Sequence, residues 1–170
     1  MSYESLTRLG RMFVILIIQL VVLNSIHLFG YATPLLIGYV IIRCRCSSGR
    51  IPMMILGFAT GLVFDLFSNT MGMASAGMTL LAFVQPYLLN AFMPKDETEK
   101  FLPTVRTMGL MSYFLYASAS FLVLHCAFYI LEAFSITNIW LTLGAIVVGT
   151  LTASVLTLLI ELIANGKKAE

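Results

Sequence analysis

The sequence predicts an all-α membrane protein of six transmembrane helices, the second of them short. Composition, apolar runs and the placement of positive charge predict it. Of 170 residues, 59% are hydrophobic and only 11% charged, whereas a soluble domain carries about 25% charged residues. A mean hydropathy of +0.96 agrees. The chain lacks the polar surface needed to face water all round.

An α-helix needs about 20 apolar residues to cross the hydrocarbon core. Five stretches approach or exceed that length: Met12–Phe29, Ile51–Phe67, Met73–Met93, Thr107–Leu131 and Ile139–Ala164. A sixth, Pro34–Ile42, reaches about half the core at about 1.5 Å per residue. Charge decides whether it crosses. All ten Lys and Arg fall in four places: Arg8 and Arg11; Arg43, Arg45 and Arg50; Lys95, Lys100 and Arg106; Lys167 and Lys168. If Pro34–Ile42 crosses, these lie on one side and the other side has none; otherwise two basic residues oppose eight. Short cytoplasmic loops concentrate Lys and Arg. Residues 1–170 therefore read as one polytopic membrane domain with both termini cytoplasmic. The short second helix is expected to be buried against its neighbours or to sit where the bilayer thins.

Helix punctuation fits these limits. Pro34 and Pro52 stand near first turns, where a missing N–H is tolerated. Pro94 stops the fourth helix, Pro103 precedes the fifth, and Pro86 is expected to kink the fourth by freeing the carbonyl of Ala82. Trp140 and Tyr31 fall at the expected outer interface, where aromatic belts form. Met12–Phe29 carries Gln19 and Asn24 and lacks a small-residue cleavage pattern near Gly30, so it reads as a retained helix.

The outer loops, Gly30–Thr33, Ser68–Gly72 and Glu132–Asn138, hold only a few residues each. Function must then run through helix faces, short loops or a cavity between helices. Cys44 and Cys46 form a lone C-x-C without nearby further ligands, which does not make a structural zinc site. No nucleophile motif or phosphate-binding glycine loop is present, and no cofactor is expected.

Polar side chains inside a membrane are costly and mark candidate sites. Gly57, Gly61 and Asp65 recur every four residues and share one helix face. The glycines allow close helix approach, giving a packing or partner seam pinned by a carboxylate. Gln19, Asn24, His27 and His125 form a candidate intramembrane polar network, with Asn24 and His27 on one face. A His27, His125 and Asp65 cluster could serve a metal or acid–base chemistry, but a self-satisfying polar network explains these residues without either. Glu161, one turn from the cytoplasmic end, can reach the interface, and its position needs no special role. Gly149 and Ala153 make a small-residue packing step, with Gly144 above them.

The first helix reading Gln19-Leu-Val-Val-Leu-Asn24, the glycine turn at Gly30 and the short helix opened by Pro34 resemble the start of the bacterial rod shape-determining protein MreD family. The stretch Gly57-Phe58-Ala-Thr-Gly61-Leu62-Val-Phe-Asp65-Leu66, followed by Gly72, is similar to that family's most recognisable segment. The stretch Met73–Gly77 departs from it. The resemblance implies a non-enzymatic component of the cell-elongation machinery in the bacterial inner membrane, working in peptidoglycan synthesis. Its implied partners are an MreC-like single-span protein, a RodA-type glycosyltransferase, a penicillin-binding transpeptidase and the MreB cytoskeleton; nucleic acid is not among them. It also implies a compact bundle resembling the substrate-binding subunits of energy-coupling factor transporters. A vitamin-type binding subunit of a transporter is the alternative, although such subunits dock through small residues on a first helix that is bulky here.

Overall fold

The computed structural model of the chain describes residues 19, 34–44, 49–70, 72–93, 101–132 and 139–166. Every regular element among them is helical. A 3₁₀ turn at Leu36–Gly38 leads into α1 (Tyr39–Ile42); α2 (Arg50–Ser68), α3 (Met73–Phe92), the single turn α4 (Val105–Met108), α5 (Leu110–Glu132) and α6 (Ile139–Gly166) follow. Three helices, Arg50–Ser68, Leu110–Glu132 and Ile139–Ala164, are long and apolar enough to cross a membrane, and they mark a membrane protein. Their burial pattern suits lipid: Leu66, Phe67, Ile130 and Trp140 are all exposed at 60% or more.

Two expected boundaries shift. Pro34 and Leu35 are non-helical, so the second segment is a 3₁₀ turn and a short α-helix rather than one helix from Pro34. The fifth breaks at Gly109, whose φ of +79° suits glycine, and the long helix begins at Leu110. Before the break, Thr104 and Thr107 form a reciprocal capping box on α4. α3 runs through Pro86 without interruption.

α2 and α3 form the most extensive helix pair, and α3 with α5 and α5 with α6 complete the bundle. The α2–α3 turn has a defined chemistry. Asn69 adopts the left-handed conformation at φ 55°, which Asn tolerates better than most residues. The Thr70 N–H then reaches the Asp65 carbonyl at 3.2 Å, closing the end of α2. Gly72, at φ +80°, opens α3.

Close approach of the two helices depends on glycine at two positions. A Cβ on Gly57 would lie 2.7 Å from the Met78 carbonyl oxygen, and one on Gly61 would lie 2.7 Å from that of Ala74. Both obstacles are backbone, which cannot rotate away. Gly144 has nothing within 4 Å of its Cβ position. Gly61→Val is expected to force α2 from α3 and destabilise the protein by about 1–3 kcal/mol, as overpacking does, whereas Gly144→Val leaves the thermal midpoint in detergent nearly unchanged. Equal midpoints for the two variants would contradict this packing.

Candidate functional site: a buried half-length helix and its side-chain clamps

The segment from Pro34 to Cys44 is about half the length of a straight membrane-crossing helix, and it lies inside the bundle. No apolar side chain between Leu35 and Ile42 is more than 6% exposed. Gly38 permits this, since a Cβ there would meet Leu124 Cδ2 at 2.8 Å and Phe121 Cε1 at 3.0 Å. A short helix leaves most of its N–H and C=O groups unpaired, and each costs several kcal/mol in an environment without water. Side chains from the surrounding segments supply the partners.

At the entry, Gln19 acts as a two-pronged clamp. Its Nε2 donates to the Pro34 carbonyl at 3.0 Å, and its Oε1 accepts from the Leu36 N–H at 2.7 Å. The Leu35 N–H donates to His125 Nε2 at 3.3 Å, while His125 Nδ1 lies 2.8 Å from the Phe121 carbonyl. An Nε2 that accepts leaves the proton on Nδ1, so both bonds require the neutral ring with that tautomer. Gly149 gives the ring its space: a Cβ there would stand 2.6 Å from His125 Cδ2.

At the exit, Tyr116 Oη donates to the Ile42 carbonyl at 3.0 Å. Gln85 Nε2 donates to Tyr116 Oη at 2.8 Å, with a longer 3.5 Å contact to the Cys44 carbonyl. The Cys44 thiol turns back to the Val40 carbonyl at 3.4 Å.

A charged cluster ties the exit to α6. Glu161 is fully buried. Its Oε2 accepts from Tyr39 Oη at 2.7 Å and from Arg43 Nη1 at 2.8 Å, and the same Nη1 donates to Tyr39 Oη at 2.6 Å. The Arg43 guanidinium also lies 5.9 Å from the Tyr39 ring centroid, within cation–π range. Burial works against the Arg43 charge, yet Tyr39 and Glu161 outweigh it and hold the group above its ordinary value. Glu161 thus corrects the expectation that it has no special role: its carboxylate is buried and fastens α1 to α6. An arginine just past a half-length apolar segment was the available signal, because its partner had to lie on another helix.

Asp65 has a separate task. Its Oδ1 accepts from the Ala74 N–H at 3.0 Å and from Thr70 Oγ1 at 2.6 Å, and its Oδ2 accepts from the Ser75 N–H at 2.8 Å. A carboxylate at the end of α2 therefore caps the start of α3, where the helix dipole favours negative charge. Gly57, Gly61 and Asp65 all face α3 within the chain. Of the candidate network, Gln19 and His125 meet at the entry of the half-length helix; Asn24 and His27 lie outside the described residues. The described members of the His27, His125 and Asp65 cluster serve separate places: Asp65 the α2–α3 hairpin and His125 the Leu35 N–H.

Comparison with protein-family models, curated proteins and solved structures found no match. The arrangement itself is therefore the guide to function. It positions a short helix rigidly, with neutral amide, imidazole and phenol groups at its ends and an ion pair at its side.

Breaking a buried ion pair by removing one member costs about 3–5 kcal/mol. Arg43→Met strands a fully buried carboxylate, whereas Glu161→Leu strands a guanidinium that is 21% exposed. Denaturation midpoints should therefore fall further for Arg43→Met than for Glu161→Leu, and the double variant should recover part of the loss. Additive losses would show that the pair is not coupled.

Proposed function

We propose that this chain is a multi-pass, non-enzymatic adaptor of the bacterial inner membrane, with six spans and both termini cytoplasmic, in the machinery that elongates rod-shaped cells. It would act through contacts of its helix faces with an MreC-like single-span protein, a RodA-type glycosyltransferase and a penicillin-binding transpeptidase, and through them with the MreB cytoskeleton. The observation that carries this reading is the fate of the Gly57–Asp65 stretch, which resembles the MreD family. Its small and acidic residues lock α2 to α3, while Ile51, Ile55, Phe58, Leu62 and Leu66 form an exposed apolar stripe on the other side of α2. Rigid hairpin and free apolar face together suit lateral docking within the bilayer, where close packing drives association.

The commitment of polar groups supports the same reading. Gln19, Gln85, Tyr116 and His125 bind backbone of the Pro34–Cys44 segment, and Asp65 binds backbone of α3. Groups so engaged hold structure.

One observation favours a second reading, a small-molecule binding subunit of a transporter. Transporters commonly place substrate sites where interrupted helices end near the bilayer midplane, and α1 is such a half-length element. Saturable vitamin binding by the purified protein would establish that reading over the first.

Depletion in the rod-shaped host should turn cells round, and tagged protein taken from native membranes should bring down an MreC-like partner. Normal cell width after complete loss would refute the adaptor reading.

A further inference from the structure

Helices that meet through residues four apart carry a parallel row of side chains on each flank of the contact. Gly57 and Gly61 of α2 meet Ala74, Ser75, Met78 and Ala82 of α3, so the two run antiparallel. On one flank stand Thr60 and Phe64 of α2 and Gly77, Leu81 and Gln85 of α3. Thr60, Phe64, Leu81 and Gln85 are buried and Gly77 packs on Leu124 of α5, so this flank turns into the bundle. The other flank holds Arg50, Met54 and Phe58 of α2 and Thr79, Phe83 and Tyr87 of α3, again four apart on each helix. It turns outward: Phe58, Phe83 and Tyr87 are 51, 44 and 52% exposed.

The two outer rows face the same side, because the Arg50 guanidinium lies over the Tyr87 ring, 5.1 Å from its centroid. The same register sets Met54 level with Phe83 and Phe58 level with Thr79. Phe83 and Tyr87 stand as neighbouring rings 6.2 Å apart, and the Thr79 hydroxyl turns back to the Ser75 carbonyl at 2.7 Å. Beyond Arg50 the groove is therefore apolar. Arg50 is the first residue of a helix able to cross a membrane, which puts its charge at the level of lipid headgroups. Arg43 spends its guanidinium on Glu161; Arg50 has no hydrogen bond or ion pair among the described residues, and only the Tyr87 ring holds it. That ring covers one face of the guanidinium and leaves the N–H groups round its edge, whose planar fork matches a phosphate. From Arg50 to Phe58 the groove runs about 12 Å along α2, most of the depth of one leaflet, about 15 Å.

We propose that the outer α2–α3 groove binds one anionic phospholipid, with its phosphate on Arg50 and an acyl chain along Met54, Phe58 and Phe83. Charge selects the lipid class. A zwitterionic headgroup brings its own cation beside the guanidinium, whereas an anionic one supplies the counter-charge that the described residues withhold. The site is independent of the adaptor or transporter role and requires only that α2 crosses the membrane. It adjoins the apolar stripe of α2 and shares Phe58 with it, so a bound lipid forms part of that face.

Photo-crosslinking of the full chain in phosphatidylcholine nanodiscs tests this. A trace of phosphatidylglycerol or of phosphatidylcholine, each with a diazirine on its acyl chain, is the probe, and labelled residues are located by peptide mass spectrometry. Leu151 and Val155 of α6, 52 and 46% exposed, report ordinary surrounding lipid. Relative to them, the phosphatidylglycerol probe should label Met54, Phe58 and Phe83 about fivefold more than the phosphatidylcholine probe does, the preference one arginine confers. Arg50→Gln should abolish that excess and Tyr87→Leu should reduce it, while Arg106→Gln, at another exposed arginine, leaves it intact. Equal labelling of the groove by the two probes in the wild-type protein would overturn the proposal. So would an excess that survives Arg50→Gln, and so would a groove shielded from both probes, the mark of a second copy or another protein seated there.

Discussion

A buried segment with only a short helix of its own must find partners for its remaining N–H and C=O groups within the protein, and the rest of this structure is arranged around that requirement. Pro34 begins the segment without an N–H, and Gln19, His125, Tyr116 and Gln85 take up neighbouring backbone groups from three other parts of the chain. Non-helical backbone at membrane depth is tolerated only where protein or enclosed water satisfies it. The burial of α1 and the polarity of its neighbours are two sides of one constraint. The Glu161–Arg43–Tyr39 cluster adds a lateral tie to α6. A buried ion pair is a weak source of net stability, and this one joins the short helix to α6 at a single place.

The α2–α3 hairpin solves a related problem by different means. Its helices run 19 and 20 residues, so only their ends need partners, and Asp65 supplies them across a short turn. Glycines at the contact bring backbone against backbone, which strengthens dispersion where no hydrophobic drive separates helix from lipid. The consequence for function is geometric. With polar side chains drawn inward, the exposed surface of the spans is apolar, including Ile55, Phe58 and Leu66 on α2 and Val147, Leu151 and Leu159 on α6. Partners in the membrane would meet rigid helix faces.

Different parts of this arrangement were legible in the sequence to different degrees. The four-residue repeat of Gly57, Gly61 and Asp65 announced a helix seam, because α-helical spacing is local. What Asp65 binds was hidden, because it depends on the left-handed Asn69 and Gly72 that bring the start of α3 back over α2. The interruption at Gly109 was hidden among apolar residues that read as one run. Gln19 and His125 were conspicuous as costly polar residues, yet periodicity carries no information on their shared partner, the Pro34–Leu36 backbone, which lies 90 residues from His125. Glu161 was misread for a clear reason: a carboxylate near a helix end usually extends to the interface. Its pairing with Arg43 spans 118 residues, a separation that local patterns cannot cross.

Amide hydrogen exchange over residues 35–44, in the intact protein in lipid nanodiscs, tests the clamped half-length helix most directly. The account predicts that Leu35 and Leu36 exchange as slowly as amides in the centres of α3 and α5, and that Gln19→Leu speeds Leu36 selectively by at least about tenfold, the loss of one buried hydrogen bond. Exchange of the whole segment at the rate of an open loop in the unaltered protein would contradict it.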